Sequence, residues 1–255
     1  MRAAGLAAFS GFELRVLART PSTQDVVRAA ARAGARQGWT CVAAEQTAGR
    51  GRRGRTWEAP PGSGLLVSVL VTPPPEVAGG VPLAAGLAVA DAVAACALGV
   101  EVGLKWPNDV LSAAGGKLAG ILTEVEPGAP AGMAVVVGVG LNLSVEAFPP
   151  GVEGASLHRL AGRAVGWEEA LAALLPALGA RLGELRARGV PATVAAWRRR
   201  AVWLGSAVRV HTSGGEVEGL AADVDEGGAL LLDTPAGRIR VLAGDVVRVG
   251  PSRRP

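Results

Sequence analysis

Read from the N-terminus, the first regular apolar pattern follows Pro21-Ser-Thr-Gln-Asp25. Val26, Val27, Ala30, Ala31 and Ala33 fall on overlapping helical faces, and Ser22 with Asp25 fits the S-x-x-D capping pattern, so a helix is expected to start here. Residues 40–44 read as a buried strand, while the Gly/Arg stretch 49–54 has no hydrophobic period and reads as a loop. Residues 65–71 form a strong β run that Pro73 to Pro75 stops. Residues 82–98 predict an alanine-rich helix, and 102–105, 118–125 and 134–143 predict three further strands. An amphipathic helix is expected over 168–188, interrupted at Pro176, and another over 192–201. Strands gather in runs and do not alternate strictly with helices. That favours an α+β fold, a mixed sheet with flanking helices, over a doubly wound sheet.

Beyond Trp203 the pattern changes. Short runs at 207–211, 216–224, 229–233 and 238–249 are separated by Gly214-Gly215, Glu226-Gly227-Gly228 and Pro235-Ala-Gly237. Turn signals this closely spaced describe a small β barrel with tight hairpins. The boundary is placed at Gly205, giving a large domain over residues 1–204 and a small module over 205–255, a division that 255 residues accommodate.

With 49% hydrophobic residues the chain is expected to pack and not to be disordered. The most apolar stretch, 81–106, is broken by Asp91, Glu101 and Lys105, so no membrane span is expected. The apolar patch ahead of Glu13 is too short for a signal-peptide core, which points to a cytoplasmic location. Cys41 and Cys96 lack metal-ligand or disulfide spacing and read as core residues. His158 and His211 are the only histidines, and no G-x-S-x-G elbow is present, so triad and HExxH chemistry are poorly supported. Net charge is +4, with arginines clustered at 49–55 and 198–200 and again at Arg253 and Arg254. Such patches suit phosphates or nucleic acid, and composition alone does not choose.

The loop Gly49-Arg-Gly-Arg-Arg-Gly-Arg55, followed by Thr56-Trp57, is the strongest chemical feature. Its three glycines let backbone approach a ligand, and its four arginines offer forked donors to carboxylate or phosphate oxygens. In isolation it is as readily a solvated basic loop. Downstream, however, stand Lys105-Trp-Pro-Asn-Asp109, Gly116-Lys-Leu-Ala-Gly120 and Gly138-Val-Gly-Leu-Asn142. Each has a structural reading: Trp106 as core, Asn108 as a turn residue, Asp109 as a turn cap, the Asn142 amide as a local backbone partner. Four polar clusters in fixed order, all bordering buried strands, are harder to assign to packing.

Together these segments resemble the biotin–protein ligases, with the match running through Ser22-Thr-Gln24, Glu45-Gln46 and residues 49–57, 105–109, 117–120 and 140–142. The resemblance implies a class II synthetase-like catalytic domain followed by a C-terminal SH3-like module. It implies an enzyme that activates biotin with ATP and Mg2+ to biotinyl-5′-AMP and passes biotin to a lysine of a biotin carboxyl carrier protein. Ser22, Thr23 and Gln46 would then hydrogen-bond the ureido ring, with Gln24 standing where asparagine is usual. The backbone of Arg50, Gly51 and Arg52 and the Arg52 side chain would close over the acyl chain and carboxylate. Lys117 would contact the reacting carboxylate and phosphate, and Arg53, Arg55, Trp57, Lys105, Asn108 and Asn142 would face ATP. Asp109 is expected to receive the acceptor ammonium and to help remove its proton. The family is commonly homodimeric; metal ligands are not identified.

The chemistry agrees with that carry-over. Joining a carboxylate to an α-phosphate brings two anions together at roughly 4 kcal/mol per close pair of unit charges in a semi-polar site. Arginine, lysine and Mg2+ can offset this, and a loop that orders over the ligand shields the mixed anhydride from water, so residues 49–54 are expected to be mobile when empty. Two rivals remain at this stage. A nucleic-acid arm is disfavoured by few aromatics and by only about twenty residues ahead of Ser22, too few for a DNA-binding domain of ordinary size. A lipoate–protein ligase would share the acyl-adenylate chemistry but needs no paired polar groups for a ureido ring.

Overall fold

The computed structural model describes residues 11–127, 129–130 and 132–249; the expectations for the patch at 1–10 and for Arg253 and Arg254 lie outside them. Seven strands, β1 (Glu13–Thr20), β2 (Trp39–Gln46), β3 (Gly64–Val71), β4 (Val102–Lys105), β5 (Asp109–Ser112), β6 (Lys117–Glu126) and β7 (Ala134–Asn142), form one sheet in the order β1-β2-β3-β7-β6-β5-β4. β1 and β2 run parallel, and the other neighbours are antiparallel. The mixed sheet matches the expected fold class. Two strands escaped the pattern. β1 is a half-covered edge whose Glu13, Arg15 and Arg19 interrupt its apolar positions, and β5 has four residues, the first of them the polar Asp109.

Alternation along the strands divides the core. Val67, Val69 and Val71 of β3 and Val135, Val137 and Val139 of β7 join helices α2 (Val81–Cys96) and α4 (Trp167–Arg198) on one face. On the other, Leu70 and Val136 meet Val27 and Ala31 of α1 (Thr23–Arg32) and Cys41. Both cysteines are free and buried, and burial pushes the Cys41 thiol up to about 11, consistent with inert core residues. The segment Pro75–Cys96 has the length and composition of a span but is a buried core helix, in keeping with the expectation from sequence. Of its most apolar 18-residue window 72% is buried, because α2 is flanked by α4 and the sheet.

The break in the long helix is not at Pro176. The chain stays helical through that residue, where burial of Leu174, Leu175 and Leu178 offsets the missing N–H, and breaks at Gly189 (φ 75°, ψ 177°). Pro191 follows at the start of the next segment, where no hydrogen bond is lost. A short helix α3 (Leu157–Ala161) lies between β7 and α4.

The C-terminal strands β8 (Ala207–Thr212), β9 (Gly215–Val224), β10 (Leu230–Thr234), β11 (Gly237–Val241) and β12 (Asp245–Arg248) make an antiparallel sheet ordered β11-β10-β9-β8-β12. The single run expected at 238–249 is thus two strands, divided at 242–244. This sheet docks on the first domain: Trp106 Nε1 donates to the Gly228 carbonyl at 3.0 Å, and Arg198 pairs with Asp223 at 2.8 Å. Gly189→Ala is expected to destabilise the protein by about 1–2 kcal/mol because its φ is positive. Pro176→Ala should be neutral or stabilising, and denaturant midpoints of both variants check the assignment.

Candidate active site

The site lies on the α1 face of the large sheet, where β6 and β7 carry glycine. Gly120 pairs with Gly140, and Gly138 lies opposite Ser68. The Trp57 ring rests directly on this floor: a Cβ on Gly140 would come within 2.4 Å of it, and one on Gly120 within 2.9 Å. Any side chain there would lift the ring, so the small residues of 116–120 and 138–142 serve contact.

At one end of the floor stands the start of α1. Thr23 donates through its backbone N–H and its hydroxyl to Gln46 Oε1 at 2.7 and 3.0 Å, and its hydroxyl lies 2.8 Å from that of Ser68. Ser22 precedes the helix as expected but makes no capping hydrogen bond; it is 2% exposed and lines the cleft. Its capping partner is also engaged elsewhere, since Asp25 accepts from Arg50 at 2.7 Å. Gln24 lies over Gly138 and donates to Glu124 and to the carbonyls of Leu122 and Val136 at 3.1–3.4 Å, while its buried Oε1 has no partner among the described residues.

At the other end Asp109, 8% exposed, sits between two lysines: Lys117 Nζ at 2.7 Å and Lys105 Nζ at 3.3 Å. Burial alone would raise this carboxyl, but the two ammonium groups overcome it and hold it below the ordinary value. Asp109 opens a strand and caps no turn. Burial lowers Lys105 from its ordinary value, with Asp109 opposing. The Lys105 ammonium also lies 4.7 Å from the Trp203 ring centre, and Lys117 lies 5.6 Å from that of Trp57. Asn142 donates to the Lys117 carbonyl at 3.2 Å and Asn108 to the Ile121 carbonyl at 2.8 Å, so both amides brace β6. That is the local role the sequence left open for Asn142.

The Gly/Arg loop spans the two ends as a small folded hairpin with an Arg50–Thr56 bridge, a Trp57 N–H to Gly49 carbonyl bond of 3.0 Å and one 3-10 turn at Arg52–Gly54. Arg50 points to the α1 end, 3.2 Å from Glu124. Arg52 donates to Asn108 Oδ1 at 3.2 Å, and its largely buried guanidinium is lowered by desolvation against the pull of Asp245. Arg53 and Arg55 turn away toward the C-terminal sheet, not into the floor.

One continuous cleft therefore touches Ser22, Thr23, Gln24, Gln46, Arg50, Gly51, Arg52, Arg55, Trp57, Lys105, Asn108, Asp109, Lys117 and Asn142. Arg53 alone of the expected residues is not on its wall; it lines a neighbouring 490 Å³ cavity against Leu83, Trp106 and Leu242. Sequence reasoning missed Ser68, whose signal was a lone hydroxyl in an all-apolar strand. It also missed Trp203 and Asp245, for which no local signal exists.

Residues 16–142 match the model of the biotin/lipoate A/B protein ligase family, and residues 203–249 match that of the biotin protein ligase C-terminal domain. A biotin–[acetyl-CoA-carboxylase] ligase of Mycobacterium tuberculosis is 42% identical over 93% of this chain and 89% of its own. One from Paracoccus denitrificans is 38% identical over 91% and 98%. The biotin protein ligase of Aquifex aeolicus, solved with biotin and ATP, superposes with a TM-score of 0.82 at 26% identity, over 93% of this chain and 99% of that one.

Gly140→Val should displace Trp57 from the floor and destabilise the protein by about 1–3 kcal/mol, as read by tryptophan fluorescence and denaturant midpoint. For Asp109 the folded pKa lies below the unfolded one, so its contribution to stability is present above about pH 4 and is lost as pH falls through the folded value. The stability gap between wild type and Asp109→Asn should accordingly narrow in acid, as measured by denaturation across pH 2–6.

Proposed function

The chain belongs to the biotin/lipoate A/B protein ligase family, and from that premise we propose that it joins biotin to AMP at the expense of ATP and passes the biotin to a lysine of a carboxylase's biotin carrier domain. The observation that carries the reading is the single cleft with neutral polar groups at one end and paired lysines at the other. A ureido ring offers two N–H donors and one acceptor. Ser22, Thr23 and the unpartnered Gln24 Oε1 supply hydroxyl and amide partners at the α1 end. A dithiolane ring would leave the buried Gln24 Oε1 without a donor, which disfavours lipoate.

In the first step the biotin carboxylate attacks the α-phosphorus, a phosphorus–oxygen bond forms, and the bond to pyrophosphate breaks. Lys117 and Arg52 are proposed to stand where negative charge gathers; Trp57, Lys105, Asn108 and Asn142 would shape the nucleotide side, and Arg53 and Arg55 would act through the lid. When bound, Mg2+ would offset charge on the departing pyrophosphate. Among the described residues no three His, Cys, Asp or Glu gather as a metal site. That fits an ion carried mainly by phosphates with one or two carboxylates, and with Asp109 shared by two lysines, Glu58, Glu101 and Glu153 are those left on the cleft wall.

In the second step the acceptor amine attacks the anhydride carbonyl, and the carbon–oxygen bond to AMP breaks. A free lysine has a pKa of ~10.4 and arrives protonated. Asp109 is proposed to receive it as an ammonium by displacing Lys105 and to help pass one proton to solvent, so that the neutral amine attacks; the second proton leaves the nitrogen as the amide forms and AMP departs.

Pyrophosphate–ATP exchange is expected with biotin and not with lipoate. Lys117→Ala should lower that exchange about 100-fold, the scale of one well-placed electrostatic donor. Asp109→Ala should lose transfer from preformed adenylate; normal transfer would remove the acceptor role.

A further inference from the structure

Three of the four loop arginines reach the C-terminal sheet. Arg55 donates to Asp245 Oδ1 at 2.6 Å, and Arg52 and Arg53 stand 4.0 and 3.9 Å from the same carboxylate. Arg52 also donates to the Gly244 carbonyl at 3.1 Å, and Arg53 to the carbonyls of Thr212, at 2.9 Å, and His211. Asp245 forms no ion pair with any other cation among the described residues. Arg53 is one of two non-glycine residues with positive φ there (φ 56°, ψ 39°), a conformation that disfavours side chains by about 1–2 kcal/mol. Its side chain is held by the two β8 carbonyls, so the tight form of the loop depends on a surface that lies about 160 residues further along the chain.

From this convergence we propose that Asp245 is a positioning residue for the ligase reaction: it latches the arginine loop to the C-terminal sheet and so keeps the acyl-adenylate enclosed. The proposal rests on the reading of residues 49–55 as a lid. Asp245 touches neither substrate nor reacting atom. It gathers three guanidinium groups that would otherwise repel one another, and it leaves Arg52 able to reach Asn108 at the cleft wall. Single half-exposed ion pairs contribute little, but three cations on one carboxylate, reinforced by three carbonyl acceptors, act as a network. The C-terminal sheet thereby governs how long the intermediate stays bound, while the chemistry stays on the large sheet.

The test uses the full-length enzyme loaded with biotin and ATP. In Asp245→Asn, an isosteric change that spares the fold, and in Asp245→Ala, loss of biotinyl-adenylate into solvent should rise about tenfold. Trypsin should cut the 50–55 loop faster in the loaded state, and the KM for ATP should rise. The rate of single-turnover transfer to acceptor should stay within about threefold, and Asp245→Glu should restore retention. A merely structural role would lower Tm without shifting this split. If wild type shows no ligand-dependent protection of the loop, the lid reading falls and the latch with it. If wild type is protected and both Asp245 variants retain adenylate equally well, the latch alone is overturned.

Discussion

The architecture turns on holding several positive charges together without neutralising them. Lys105, Lys117, Arg52, Arg53 and Arg55 converge on two carboxylates, Asp109 and Asp245. Left to themselves the cations would separate, since two unit charges at 4 Å repel by about 4 kcal/mol in a semi-polar setting. Each carboxylate is shared among several cations and fully satisfies none of them. In the proposed reaction the carboxylate and phosphates of the substrates would complete the balance. Asp109 achieves this from within the large sheet, at the first position of β5. Asp245 does so from a separate sheet, so that half of the charge balance depends on how the two sheets meet.

That division explains what the sequence disclosed. Residues 65–71, 82–98 and 134–143 were legible because they are largely buried and their apolar runs are long, with polar interruptions only at Ser68, Asp91 and Asn142. Glu13–Thr20 was not, because an edge strand paired on one side tolerates charge and shows weak alternation. Asp109–Ser112 was hidden because its leading Asp, read as a possible turn cap, turned out to start a strand. Pro176 misled because propensity ignores tertiary packing, whereas Gly189 marks the break through a φ that only the fold requires.

The site divides along a similar line. Arginine, lysine and glycine in short motifs announced the loop, the lysine pair and the floor, since their spacing is local. Contacts between distant segments carried no such mark. Thr23 with Ser68 joins positions 45 residues apart, and Arg55 with Asp245 joins positions 190 apart. The Gln24 amide was legible as a departure but not as a contact, for only the fold shows it spread across Gly138 with donors spent on β6, β7 and Glu124.

The glycine floor and the arginine loop solve complementary problems. The floor must be rigid, and it is: β6 and β7 are paired residue for residue from Ala119–Leu141 to Glu126–Ala134, with no side chain at Gly120 and Gly140 to hold Trp57 away. As the proposed lid, the loop would have to move and also find one closed form. A chain of glycines and arginines has no apolar side chain with which to define that form, so its shape has to come from polar partners outside itself. Asn108 supplies one within the catalytic domain, and the carbonyls of β8 with Asp245 supply the rest. Such contacts are individually weak and directional, which would suit the proposed lid. An apolar latch of equal area would hold more tightly but would not specify where each guanidinium ends.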